Sequence, residues 1–261
     1  MALSKQTPQN RLRRAAGVAP LRGSGEAAPG VGPVHALIFD MDGTMIDSMG
    51  HHRLSWIAFA DHHGLTMPID ELMRRTTGRN GAECMDELFG RPIPRDQAWE
   101  LVRHKERIYR ELFGPEFREV EGFRAFACHA TQRGLKFGVG TAGDAHNIEF
   151  AMQHLALASA PHAVVGGDEG LPGKPEPAIF LEVARRMNVA PERCIVFEDA
   201  PLGIEAARRA GMRAVAVCTT HRADELAGPH VLAAINDYTG LPQAAWFAQL
   251  TMETIHAATA S

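Results

Sequence analysis

Residues 36–48 read ALIFDMDGTMIDS, an apolar run that ends in two aspartates, Asp40 and Asp42, followed at once by Gly43-Thr44. Alternation along a strand sends residues i and i+2 to the same face, so both carboxylates leave the strand on one side, where the turn begins. Like charges so placed repel. They are tolerated when a cation stands between them, or when one carboxyl holds a proton.

Working outward, short apolar strands alternate with helical segments, the pattern of an α/β fold with a doubly wound, mainly parallel sheet. Strands are predicted near 34–39, 135–141, 162–166, 194–199 and 213–218, with 231–235 at an edge. Asp144 suits the N-cap of one helix, with Ile148, Met152 and Leu155 on a face. Pro175 or Pro177 opens a second helix through Ile179, Phe180, Val183 and Met187, and a third runs from Pro201 to Ala210 and stops at Gly211. Between the first and second strands lie roughly ninety residues, far more than an ordinary crossover needs. This insertion reads as helical, one helix with Leu54, Ile57 and Ala58 at helical spacing and ending at Gly64, another with Trp99, Val102, Ile108 and Leu112 and ending at Gly114. The expected organisation is an extension over 1–33, an α/β core over 34–48 and 121–250, and a helical cap over 49–120. Ligands bind such cores outside the carboxyl ends of the strands, so an insertion directly after the first strand is placed as a lid.

Composition limits the partners. The 261 residues are 45% hydrophobic and 22% charged with a net charge of −4, enough for a sizeable core and without the basic footprint of a nucleic-acid binder. No apolar run reaches the length that spans a bilayer. The four cysteines, Cys84, Cys128, Cys194 and Cys218, show no CxxC pairing and suit a reducing compartment. Residues 1–33 hold Lys5 and four arginines against Glu26, and their Pro and Gly content predicts disorder. A basic, acid-poor N-terminus leaves organelle targeting open beside a cytoplasmic reading. The expected assembly is a monomer or weak dimer.

The predicted strand ends converge chemically. The first brings Asp40 and Asp42, the second Thr141, the loop after the third Lys174, and the fourth Glu198 and Asp199. Carboxylates, a hydroxyl and an ammonium in one crevice would hold Mg2+ together with a phosphate. Lys174 and backbone N–H groups after Asp40 and after Thr141, the latter at Ala142 and Gly143, would take the phosphate oxygens.

FDMDGTMIDS, GTAG, GKPEP and FEDAPLGIEAARRAG resemble the four motifs of the haloacid dehalogenase-like superfamily, in its order and at its strand ends, over about residues 34–240. The resemblance implies a magnesium-dependent phosphatase. Asp40 would be the nucleophile that forms an aspartyl-phosphate, and Asp42 the acid that protonates the leaving oxygen and then activates water. Asp40 would thus work ionised while Asp42 carries a proton. Asp40, the Asp42 carbonyl and Asp199 would hold the metal with Glu198 in support, and Thr141 and Lys174 would hold the phosphate. Phosphoglycolate-type members carry GDSxxD in the fourth motif. Here Glu198-Asp199 stands with Gly203 at the later acidic position, which resembles the branch of β-phosphoglucomutase and the phosphatases of small sugar and polyol phosphates.

In that branch a histidine couples cap closure to the acid/base aspartate, and His52 matches it. Lys105, four before Tyr109, matches a substrate-facing lysine, although a solvated lysine on an amphipathic helix is the plainer reading. Aligning Gly78 of TTGRNGAEC with the mutase cap loop puts Gly81 where the mutase has an arginine, and displaces Arg79 by two residues. This favours hydrolysis of a small phosphorylated metabolite over a phosphomutase. A catalytically silent binding protein on the same fold is disfavoured because each motif keeps its chemical group. His62 and His63, at a helix C-terminus, suit the helix dipole and not a metal site.

Overall fold

The computed structural model of the chain describes residues 19–20, 33–76 and 81–248. Seven strands, β1 (Ala19–Pro20), β2 (Ala36–Phe39), β3 (Lys136–Gly140), β4 (Ala163–Val165), β5 (Cys194–Glu198), β6 (Arg213–Val217) and β7 (Val231–Ile235), form one sheet in the order β1-β7-β6-β5-β2-β3-β4. All neighbours are parallel except β1, which runs antiparallel to β7. The chain leaves β2 towards β3 and β4, then returns on the other side of β2 with β5. That reversal is the crevice-forming point of an open α/β sheet. The expectation of disorder over 1–33 falls outside the described residues, apart from Ala19-Pro20 in β1 and Pro33.

Both faces of the sheet are covered, and strand alternation decides which side chains meet which helices. Leu37 and Phe39 of β2 join Phe137, Val139, Ile195, Phe197 and Val215 beneath α5 (Phe123–Gln132) and α6 (Ala145–Leu155). Ala36 and Ile38 face the other way, with Val196, Ala214 and Ala216, against α7 (Ala178–Met187) and α8 (Pro201–Arg209). Phe39 is fully buried and stacks on Phe197 at 4.6 Å, with Phe123, Phe126 and Phe137 edge-on. This cluster anchors the strand that carries the two aspartates. The caps follow the sequence: the Asp144 side chain accepts from the Asn147 N–H at 2.8 Å, and Pro177 stands at the N-cap of α7.

Four helices occupy the long insertion, α1 (Met49–His63), α2 (Ile69–Thr76), α3 (Gly81–Phe89) and α4 (Arg95–Phe113). They share a core of their own around Trp56, Phe59, Leu72, Met85, Leu88 and Val102. The segments that enter and leave the insertion run side by side: the Asp47 N–H donates to the Arg118 carbonyl and the Val120 N–H to that of Met45.

The faces of two of these helices differ from the sequence reading. In α1 the buried residues are His51, His52, Ser55, Trp56, Phe59 and Ala60, while Leu54 and Ile57 are exposed. In α4 they are Ala98, Val102, Lys105, Tyr109 and Phe113, and Leu112 is exposed. Each helix turns a polar stretch inward because it packs on the insertion's own core at one end and over the strand ends at the other. Apolar spacing reports only the first of these surfaces. Lys105 is 2% exposed, which overturns the solvated-lysine reading. Among the described residues, no helix is long and apolar enough to cross a membrane.

Candidate active site

Asp40 follows β2 directly, and its N–H is fixed by the Phe197 carbonyl of β5. Its Oδ1 accepts from Lys174 Nζ at 2.5 Å, and the same ammonium donates to Glu198 Oε1 at 2.7 Å. Lys174, Glu198, Asp199 and Thr141 are all at most 3% exposed. Asp199 is held by hydroxyls, with Thr44 Oγ1 on Oδ1 at 3.3 Å and Thr220 Oγ1 on Oδ2 at 2.5 Å. Thr141 Oγ1 accepts from the Gly143 N–H at 3.0 Å, and Thr141, Ala142 and Gly143 line the same cavity.

Two glycines make the carboxylate cluster possible. Gly43 turns the chain after Asp42 at φ +80°, and a Cβ there would lie 2.2 Å from Asp199 Oδ2. A Cβ on Gly203 would lie 1.7 Å from Glu198 Oε1. The second case explains the departure in the fourth motif. The longer Glu198 side chain fills the space beside the first turn of α8 where an acidic residue at 203 would otherwise project.

The opening pair of aspartates is placed in two different environments. Asp42 Oδ1 accepts from Ser48 Oγ at 2.7 Å, His52 Nε2 at 3.0 Å and Tyr109 Oη at 3.2 Å. Lys105 Nζ stands 2.7 Å from His52 Nδ1. An ammonium only donates, so His52 accepts at Nδ1 and presents its Nε2–H to Asp42. The His52 ring stacks on Tyr109 at 3.8 Å, which fixes its plane. Burial raises the Asp42 carboxyl, but His52, with Ser48 and Lys105, brings it down to about 2.

The protonation order differs from the sequence expectation. Burial pushes the Asp40 carboxyl up to about 7, with Glu198 and Asp42 adding to the rise against the lowering by Lys174. Asp199 is likewise raised, by burial and then by Glu198 and Asp40. Burial alone would depress Lys174, yet Asp40 and Glu198 hold its ammonium above the ordinary value. The cause is a shortage of positive charge: Asp40, Glu198 and Asp199 share one ammonium. A hard divalent cation fits this oxygen-rich donor set and would supply the missing charge, returning Asp40 to its ionised form.

The wall facing the strand ends comes from the insertion and α6. Asn147 Nδ2 donates to Glu106 Oε2 and Arg110 Nη1 to Asn147 Oδ1, both at 2.7 Å, while Lys105 Nζ donates to Glu106 Oε1 at 2.9 Å. Burial raises Glu106, but Lys105, His52 and Asn147 leave it below its ordinary value. Trp56, Trp99, Met49 and Met73 complete the lining. The sequence-predicted residues Asp40, Asp42, His52, Lys105, Thr141, Ala142, Gly143, Lys174, Glu198 and Asp199 therefore surround one cavity. Gly78 and Arg79 lie outside the described residues. Sequence reasoning missed Thr44, Glu106, Asn147 and Thr220 as site residues; only Thr44, inside the first motif, had a local signal.

Known proteins share the family and the fold. Residues 34–211 match the family model of a haloacid dehalogenase-like hydrolase. A fructose-1-phosphate phosphatase of Escherichia coli is 36% identical over 69% of this chain and 95% of its own length. A validoxylamine A 7'-phosphate phosphatase of Streptomyces hygroscopicus is 32% identical over 75% and 91%, and the β-phosphoglucomutase of Bacillus subtilis is 31% identical over 70% and 82%. Among solved structures, a β-phosphoglucomutase from Clostridium difficile superposes with a TM-score of 0.70 over 85% of this chain and 99% of its own, at 23% identity. With its doubly wound sheet, its four motifs at the strand ends and its helical insertion, the chain belongs to the haloacid dehalogenase-like hydrolases.

Proposed function

We propose that the chain is a magnesium-dependent phosphatase of a small sugar or polyol phosphate. The observation that carries this reading is the Lys174 ammonium bridging Asp40 and Glu198, beside the separately held Asp42. Asp40, the Asp42 carbonyl and Asp199, with Glu198, would hold Mg2+, which when bound supplies charge neutralisation for the phosphoryl oxygens.

Asp40 attacks phosphorus in line, forming an Oδ–P bond as the ester P–O bond breaks. Lys174 and Thr141 bind the phosphoryl oxygens throughout. Asp42, ionised at rest, must take up a proton from solvent before it protonates the leaving alkoxide, and the His52 Nε2–H stands behind it at 3.0 Å. Water then gives a proton to Asp42, attacks phosphorus and releases Asp40. The resting charge of Asp42 suits this second half-reaction. Glu106, Asn147 and Lys105 offer hydrogen bonds to hydroxyl groups, and Trp56 and Trp99 offer faces for the C–H side of a sugar. We read the helical insertion as a cap over this site.

A β-phosphoglucomutase-like phosphotransfer is the second reading, favoured by the Lys105–His52–Asp42 relay and by the 31% identical mutase. A panel of phosphorylated sugars and polyols, followed by release of inorganic phosphate, tests the choice. Hydrolysis is expected. Isomerisation of a hexose 1-phosphate with little free phosphate overturns it in favour of the mutase. Asp40→Asn is expected to abolish turnover while leaving the circular dichroism spectrum unchanged; substantial hydrolysis of an aryl phosphate by that variant refutes Asp40 as nucleophile.

A further inference from the structure

Away from the strand ends, the last turn of α1 meets the middle of α4, and three imidazoles come together there. His62 and His63 close α1, and His104 faces them from 41 residues beyond His63. One nitrogen from each ring forms a set lying entirely within 4.8 Å. We propose that His62, His63 and His104 bind a divalent transition-metal ion of the zinc class, tying the end of α1 to α4.

The tightest pair already has the required spacing. His63 Nε2 and His104 Nδ1 are 3.2 Å apart. Two nitrogens on a tetrahedral zinc ion, each bonded at 2.0–2.1 Å, stand about 3.3 Å from one another. The ion would replace the proton that these nitrogens now share. His62 is exposed, and its ring centroid is 4.8 Å from those of both His63 and His104. Closing the third ligand needs a side-chain shift of roughly 1.5 Å, which an exposed imidazole makes by a small rotation. Phe59 and Phe89 pack against His63 and hold its ring.

The chemistry selects the ion. Three imidazoles suit zinc, copper or nickel, whereas magnesium prefers the carboxylates of the active site, so the two sites do not compete for one cation. A ligand histidine must be neutral. Burial lowers His63 and His104 from the ordinary imidazole value, and the neighbouring imidazoles lower them further, which favours the neutral form. Arg107 adds to the lowering at His104 and Glu111 opposes it. Three protein ligands leave a fourth position for water.

The position also matters. His104 adjoins Lys105, whose ammonium meets His52 Nδ1, and His52 lies on the same helix as His62 and His63. A metal cross-link would therefore fix the pair of helices that present His52 and Lys105 to Asp42.

The test uses the full chain without a histidine tag, with excess Mg2+ present throughout. Zn2+ is titrated in competition with a chromogenic chelator, and Cu2+ is added separately as a paramagnetic probe. One Zn2+ per chain at micromolar or tighter affinity is expected, with nitrogen hyperfine structure from several imidazoles in the Cu2+ spectrum. His104→Gln and the exposed-site variant His62→Ala should each weaken Zn2+ at least about tenfold and simplify the copper spectrum. Zn2+ should raise the Tm of the parent chain and not that of His104→Gln. Equal affinity in parent and variants, displacement of Zn2+ by Mg2+, or binding only at millimolar concentration overturns the proposal.

Discussion

Replacing Gly203 by alanine is a sharp test of the carboxylate cluster, because the local and the tertiary effects have opposite signs. Inside a helix, Gly→Ala ordinarily stabilises by about 1 kcal/mol. Here the added Cβ would lie 1.7 Å from Glu198 Oε1 and 2.0 Å from Cδ. The Glu198 carboxylate must move, and it leaves behind the Lys174 ammonium at 2.7 Å and the Ala200 N–H at 2.8 Å. Hydrogen bonds to charged groups contribute about 1.5–3 kcal/mol each, so losing two costs about 3–6 kcal/mol, several times the helix gain. For a chain of this size that corresponds to a fall in Tm of about 10 °C. Thermal melts of Gly203→Ala, alone and in a Glu198→Ala background, measure it. With the carboxylate gone the methyl has room, so its cost should vanish or change sign in the second background. A variant as stable as the parent, or the same loss in both backgrounds, refutes the account. The exchange Glu198→Gly with Gly203→Asp, which moves the acid from the strand end to the helix, should regain part of the activity that either change alone removes.

Three further outcomes follow from the site. The Asp40 carboxyl rises from 3.8 to about 7 on folding, so the native state binds its proton more tightly than the unfolded chain does. In metal-free protein this group's contribution to stability is therefore lost as pH rises from about 4 to about 7. The Tm increment given by Mg2+ should accordingly grow over that window, and Asp40→Asn should flatten it. Thr220→Val removes the hydroxyl on Asp199 Oδ2 and should weaken Mg2+ about tenfold or more with little change in fold, as read by calorimetric titration. Lys105→Met removes a charge that keeps the Asp42 carboxyl low, so the alkaline limb of the kcat/KM profile, set by loss of the Asp42 proton, should move to higher pH; an unmoved limb removes Lys105 from the relay.

The strands and the acids at their ends were legible because a buried parallel strand is written in consecutive residues. ALIF and CIVFE each announce themselves, and the groups that follow them inherit the position. The helix faces were not. Lys105 sits among apolar residues in α4 because its partner, His52, is on another helix, and no spacing within α4 contains that fact. Thr220 and Asn147 were missed for the same reason. A hydroxyl that steadies Asp199 from 21 residues away, or an amide that meets Glu106 from 41, has no local pattern. His104 is the extreme case, since it gains meaning only when α1 and α4 are side by side.

The paired segments at the root of the insertion bear on how such a molecule diversifies. Because residues 45–47 and 118–120 already hydrogen-bond to each other, the chain could be rejoined there without disturbing the sheet, and another helical unit of any length could be spliced in. The graft would be free in one respect and bound in another. Lys174, Glu198, Thr141 and Asp199 belong wholly to the core and would keep their partners, whereas Asp42 would lose Ser48, His52 and Tyr109 together. A transplanted unit that brings its own recognition of the substrate must also bring a donor for Asp42.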